Sequence, residues 1–268
     1  NPLPASRTLG IEWRVEKDVF SFDVQLKENK ATRRSILSTV SSIFDPLCLV
    51  SPFLLTGRNV LQAIIRDGCN WDDPISEELE QKWKKWADEL SKLSELQIQR
   101  CYKNNDMIQA ATVELHHFCD ASEVAYGQCS YLKIIDTNGE VSTSLVMAKS
   151  RVAPSKLVTI PRLELTAAVL YVKIAAFLNS ELDYENSQHV FLTDSKVVLG
   201  YMSNEARKFH IFVANRIQVI RSFSHPSQWH YVKTGENPAD FTSRGMSINK
   251  ILVNKLWWHG PEFLKSPE

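Results

Sequence analysis

The sequence predicts an α/β protein: a mixed five-stranded sheet with flanking helices over residues 108–247, preceded by an α+β stretch that is mostly helical. Three observations predict it. Val113–Cys119, Gly127–Ile135 and Val141–Lys149 are consecutive apolar runs of strand length, and the turn Asp136-Thr137-Asn138-Gly139 between the last two carries the Asn-Gly hairpin signal. Helix-period segments then alternate with two shorter strand runs, His189–Thr193 and Gln228–Lys233. Between Arg100 and Met107 the composition turns polar and loses helical period, which marks a domain boundary.

In chain order, Thr8–Trp13 and Val19–Leu26 alternate in polarity and read as two short strands joined around Glu16-Lys17-Asp18. A helix opens at Thr32, with Ile36, Leu37, Val40 and Ile43 at helical spacing. It ends at Asp45-Pro46, because proline disfavours the helical conformation of the residue before it. Phe53–Ile65 reads as a buried helix ending near Gly68. Trp71-Asp72-Asp73-Pro74 then turns into a helix capped by Ser76. Its Leu79, Trp83, Trp86, Ala87, Leu90 and Leu93 form one apolar face, and a stripe at that spacing is core. Beyond the boundary and its three strands, a helix starts at Pro161, a first-turn position that tolerates proline, and runs to about Leu182. Asp194-Ser195 closes the fourth strand and caps a helix Lys196–Met202. Phe209, Phe212, Val213, Arg216, Ile217, Ile220 and Phe223 define a longer amphipathic helix, and Asn237-Pro238-Ala239-Asp240-Phe241 leads into the last one.

With 268 residues, 44% hydrophobic and 23% charged, the chain has the make-up of a soluble globular protein with a full core. Lys+Arg and Asp+Glu balance at 31 each, so net charge does not point to nucleic acid. Charge placement says more. Val141–Leu163 holds no acid but Lys149, Arg151, Lys156 and Arg162; Ala206–Gly235 holds none but Arg207, Lys208, Arg216, Arg221 and Lys233. The cysteines Cys48, Cys69, Cys101, Cys119 and Cys129 are scattered without a CxxC pair. They fit reduced thiols of an intracellular protein, cytoplasmic or nuclear. No apolar run approaches the ~18 residues of a membrane span. The chain begins without Met, as a fragment or processed piece is expected to.

Those basic stretches bracket isolated acids. Asp120 ends the apolar strand in LHHFCDAS, Glu164 lies in the first turn of a helix, Asp194 ends the fourth strand and Asp240 begins the last helix. Singly, each has an ordinary explanation, such as a carboxylate favoured at a helix N-terminus. Jointly, they fall on one rim if the first and fourth strands are neighbours. Carboxylates so placed raise each other's pKa unless divalent cations neutralise them. An all-oxygen set selects Mg²⁺ or Mn²⁺ over zinc, and two such ions about 4 Å apart suit phosphodiester hydrolysis. His116, His117 and Cys119 lie along one strand with no partner pair at zinc spacing and are read as scaffold.

FCDAS, LEL, TDS and NPADFTSRG stand in the order and element context of the ribonuclease H domain of a retroelement reverse transcriptase, which residues 111–245 resemble. The resemblance implies a ribonuclease H-like sheet. It also implies an acid tetrad, Asp120, Glu164, Asp194 and Asp240, binding two Mg²⁺ with Asp120 shared between them. The activity implied is cleavage of the RNA strand of an RNA–DNA hybrid during reverse transcription. Hybrid would be recognised by 2′-hydroxyls and minor-groove shape, with Ser122, Glu123, Arg162, Arg207, Lys208 and Arg216 as nucleic-acid-binding residues. TLGIEW, TRRSILSTVSSIFDPLCLVSPFLL, WDDPISEELEQKW and LWWHGPEFL resemble the BEL/Pao class of long-terminal-repeat retrotransposons. In that likeness residues 1–30 match the end of the polymerase palm, 31–107 the thumb and connection, 108–247 the ribonuclease H-like domain and 248–268 a C-terminal tail. The remaining reverse transcriptase domains of the same polyprotein are then expected partners.

Some features depart from the pattern. Cys48 stands where BEL/Pao sequences usually carry glycine in DPLGL. Ribonucleases H often place a mobile histidine before the last Asp to help product leave. His230 has a suitable spacing but falls inside a predicted strand, and His225 lies outside it but further away. A peptidase label also attaches to this region of the family, yet the Asp-Thr/Ser-Gly of an aspartic peptidase does not occur. The one adjacent Asp pair, Asp72-Asp73, precedes a proline and a helix, which does not suit a polymerase hairpin. An integrase-type nuclease would end its acid set on a Glu. The competing class is a catalytically inactive remnant that at most binds nucleic acid.

Overall fold

The computed structural model describes residues 6–8, 11–24, 30–102, 110–182, 184, 187–204 and 208–266. Two compact units emerge: Asn1–Cys101 with Gly245–Asn254, and Tyr102–Arg244 with Lys255–Glu268. The stretch 248–268, read from sequence as one tail, is thus divided between them. Several of its apolar residues are core, with Ile248 and Ile251 buried in the first unit and Trp257 and Leu264 in the second.

The first unit holds a four-stranded antiparallel sheet of β1 (Ser6–Thr8), β2 (Ile11–Arg14), β3 (Val19–Ser21) and β4 (Ile98–Gln99), in that order. The single strand expected over Thr8–Trp13 is in fact two, because the chain reverses and pairs Thr8 with Ile11. The second expected strand stops at Ser21, and residues 25–29 lie outside the described residues. β4 is two residues long, too short to show a period.

Helices α1 (Arg33–Ser42), α2 (Ser51–Arg66) and α3 (Glu77–Asp88) follow the expected spacing. Thr32 caps α1 in a reciprocal box with Ser35, whereas Ser76 occupies the cap position of α3 without a side-chain bond. Leu90 and Leu93 belong to a 3-10 turn beyond α3. The tryptophan stripe is core: Trp86 stacks on Phe53 at 5.1 Å and donates its Nε1–H to Phe53 O at 2.9 Å. Gly57 leaves room for that ring, since a Cβ there would lie 2.8 Å from it.

The second unit is built on β5 (Ala110–Ala121), β6 (Ala125–Asp136), β7 (Val141–Val152), β8 (Gln188–Thr193) and β9 (Trp229–Tyr231). Their order in the sheet is β7-β6-β5-β8-β9. β5, β6 and β7 are antiparallel neighbours, and β8 is parallel to both β5 and β9. β9 is shorter than expected: a 3-10 turn takes Gln228, and Val232 and Lys233 leave the strand ahead of another over Thr234–Glu236.

Side chains alternate across the strands, so the sheet has two distinct faces. One is covered by α4 (Ile160–Glu181), α5 (Lys196–Ser203) and α6 (Ile211–Phe223). There Leu165, Ala168, Tyr171 and Val172 bury Cys119, Phe191 and Trp229. Contrary to the sequence expectation, α4 is long and apolar enough to cross a membrane. Its buried apolar residues instead make it the core helix of this face. Tyr171 donates to His117 O and accepts from Leu192 N–H, which ties β5 to β8. His117 is buried here, with Nδ1 2.8 Å from Ser130 Oγ and Nε2 3.0 Å from His189 Nδ1, as befits scaffold. The other face carries α7 (Asp240–Arg244) and α9 (Lys255–His259); α8 (Ile248–Val253) belongs to the first unit. On that face Trp257 is fully buried, and Tyr131 donates to its carbonyl oxygen at 2.8 Å.

Candidate active site

The four acids reach one end of the sheet by four routes. Asp120 is the penultimate residue of β5, opposite Gly127 of β6. Asp194 follows β8 directly. Because Cys119 pairs in parallel with Thr193, the two aspartates leave the sheet side by side. Asp240 opens α7. Glu164 sits just past the first turn of α4 rather than within it, because the helix begins one residue before Pro161. That weakens the helix-dipole explanation for it.

Each carboxylate rests on a protein donor. Ser243 Oγ donates to Asp120 Oδ2, and Ser195 Oγ to Glu164 Oε2 at 2.6 Å. Asn237 Nδ2 bridges Asp194 Oδ1 at 3.3 Å and Cys119 O at 3.1 Å. Arg244 Nε donates to Asp240 Oδ1 at 2.6 Å. Three of these donors lie within NPADFTSRG, quoted in the sequence for its acid; Arg244 meets Asp240 within α7, whereas the part of Ser243 appears only when α7 is seated. What seats it is Gly127: a Cβ there would meet Lys149 O at 2.4 Å and Thr242 Oγ1 at 2.6 Å. A glycine inside a strand is the only sequence signal of that close approach.

The electrostatics are those of a crowded acid cluster. Burial, with the Asp194 and Asp240 charges adding to it against the Ser243 hydrogen bond, pushes Asp120 up to about 6. Burial likewise raises Glu164, where Ser195 opposes the shift and Asp194 adds to it. A set of carboxylate oxygens with this mutual repulsion is what a hard divalent cation takes, so donor chemistry and charge fit such an ion. Among the described residues, no three His, Cys, Asp or Glu side chains form a group set to hold a metal as they stand.

The other candidate residues are more dispersed. Ser122 commits its hydroxyl to Ser243 O at 2.7 Å and to its own turn, so it links β5 to α7. Glu123 and Lys208 are exposed, and Arg207 lies outside the described residues. Arg162 and Arg216 are brought together over one ring, with guanidinium carbons 5.1 and 3.4 Å from the centroid of Phe212. Burial and then the neighbouring Arg162 charge lower the Arg216 pKa. His230 is exposed on β9 opposite Leu192, and His225 is bonded through Nδ1 to Ser227 in its own turn.

The sequence family described as "Pao retrotransposon-like RNaseH-like domain" matches residues 32–195. No curated protein matches the chain. Among solved structures, the N-terminal RNase H domain of a Mycobacterium tuberculosis protein, fused to maltose binding protein, is 14% identical with a TM-score of 0.31, covering 47% of this chain and 86% of that one. RNase H1 from Halobacterium salinarum is 12% identical with a TM-score of 0.30, covering 54% and 96%. A foamy viral protease-reverse transcriptase in complex with dsDNA is 12% identical with a TM-score of 0.27, covering 86% of this chain and 45% of that one.

Proposed function

The chain belongs to the Pao retrotransposon-like RNaseH-like family, and on that premise we propose that it hydrolyses the RNA strand of RNA–DNA hybrids by two-metal chemistry. One observation carries the reading: Asp120, Asp194, Asp240 and Glu164 gather at one end of the sheet, and Asp120 is left electrostatically strained there. Two Mg²⁺ ions, when bound, supply the charge that makes water a nucleophile and stabilises a leaving 3′-oxygen. Asp120, Glu164, Asp194 and Asp240 would hold them.

The protein's own part is alignment. The parallel pairing of β5 and β8, stitched by Tyr171, fixes Asp120 relative to Asp194. Ser195 orients Glu164 while capping α5 through Val198 N–H. Arg216 and Lys208 would hold the DNA strand by its phosphates, so hybrid binding should fall as salt rises. Arg207 is proposed with them from sequence alone. Glu123 and the start of α4 would face the RNA, where 2′-hydroxyl contacts distinguish RNA from DNA. The first unit is proposed as a thumb- and connection-like element that partners the remaining reverse transcriptase domains.

The test is cleavage of labelled hybrid in Mg²⁺ by the full chain beside its Asp194→Asn variant. Wild type is expected to cut the RNA strand and the variant to fail. No cleavage, or cleavage untouched by the substitution, defeats the enzyme reading. Salt-sensitive binding without turnover would leave the inactive remnant.

A further inference from the structure

Resting on the metal reading above, we infer that Arg244 is a built-in counter-cation of the acid rim, holding Asp240 in the metal-free protein and competing with the divalent ion for it. The guanidinium donates to Asp240 Oδ1 at 2.6 Å from one helical turn away. The same short helix places Ser243 on Asp120 and anchors through Ser122 to β5. α7 therefore carries a proposed ligand together with the group that occupies it. Among the described residues, no other Lys or Arg is hydrogen-bonded to any of the four acids.

An ordinary surface pair at this spacing would concern Asp240 alone. Here the Arg244 charge also reaches Asp120 and Asp194, which raise the Arg244 pKa further after the Asp240 bond itself. A guanidinium cannot shed its proton at any working pH, so its charge stays beside an arriving cation and opposes it. Its side chain is 60% exposed, which gives it room to swing away once the ion is seated.

The experiment is Mn²⁺ titration of the full chain, with free ion followed by electron paramagnetic resonance. Wild type is compared with Arg244→Gln, Arg244→Met, Arg244→Lys and Asp120→Asn. The two neutral variants are expected to bind Mn²⁺ about tenfold more tightly, the effect of removing one nearby unit charge from a partly solvated site. Arg244→Lys should stay close to wild type because it keeps the charge. In EDTA the neutral variants should melt below wild type, and Mn²⁺ should raise their Tm by more. Unchanged or weaker Mn²⁺ binding in both neutral variants, with wild type binding and Asp120→Asn not, overturns the inference and spares the metal reading. Absence of binding in wild type and neutral variants alike overturns both.

Discussion

Glu114 and Asp120 lie on the same face of β5, Asp120 near its C-terminal end and Glu114 towards the other, and their carboxylates come to opposite electrostatic ends. Glu114 accepts from His116 Nε2 at 2.7 Å and lies 3.4 Å from the Nζ of buried Lys133 across the β5–β6 pair. The His116 hydrogen bond, with both neighbouring charges, holds it below the usual carboxylate range. Asp120 has a hydroxyl for its closest partner and two aspartates for neighbours, and stands near 6. A buried acid that serves the fold is neutralised within the fold. One that is not neutralised stores repulsion that an arriving cation can release.

The largest effect should come from removing the uncompensated acid. Asp120→Asn is expected to lower hybrid cleavage by more than about a hundredfold, since even groups that only support a metal ligand cost up to that much. In EDTA at pH 7 the same variant should be more stable than wild type by about 2–3 kcal/mol, because it removes a carboxylate raised by roughly two pKa units. Thermal melting beside the cleavage assay checks both; a destabilised variant would erase the contrast with Glu114. Lys133→Met works from the other end of β5. Stripping Glu114 of that partner should cost about 3 kcal/mol in urea unfolding, while the folded fraction still cleaves hybrid. A neutral result would mean that His116 compensates Glu114 alone.

Acid should expose the two faces of the strand in opposite directions. Burial, with the neighbouring His189 and His116 charges, holds His117 well below its usual pKa, and burial also lowers His189. Their contribution to stability is full above about pH 6.5, the unfolded value, and is lost as pH falls below it. Asp120 behaves inversely: its penalty is full above about 6 and is relieved as pH falls towards its unfolded value near 4. Asp120→Asn should therefore lose Tm more steeply than wild type between pH 7 and 5 in EDTA. An equal slope would show that Asp120 is not the raised group.

The smallest effect tests a strained backbone position in the first unit. Cys48 adopts a left-handed backbone, φ 56°, between Asp45 and the amides of Leu49 and Val50 that Asp45 accepts from. Cys48→Gly should relieve the strain and lose some thiol burial, for a net gain of about 0.5 kcal/mol in urea unfolding without change in cleavage. A clear loss of activity would give that strain a function.

Much of this molecule was legible in advance. The order of strands and helices in the second unit followed from period-2 and helical patterning and from Asn138-Gly139, all of which act over a few residues. The places of Asp120, Asp194 and Asp240 were legible because each sits at an element boundary, whereas Glu164 lies within α4. β4 was not, because two residues carry no period, and Leu90 and Leu93 left the expected helix for a 3-10 turn that keeps them buried. LWWHGPEFL was legible as a motif but not as core. Burial of Trp257 beneath Tyr131 depends on a contact between residues far apart in the chain.

By itself, the sequence determined most of the strands and helices of the second unit, and that Asp120, Asp194 and Asp240 stand at their ends, because both are set by local patterning. Only the tertiary structure decided which partners the acids meet on other elements. Arg244 meets Asp240 within α7 itself, but Asn237 reaches Asp194, and Ser243 reaches Asp120, across the fold, the latter because a glycine at position 127 lets α7 rest on the sheet. That is a matter of tenths of an ångström between distant residues, and no local pattern records it.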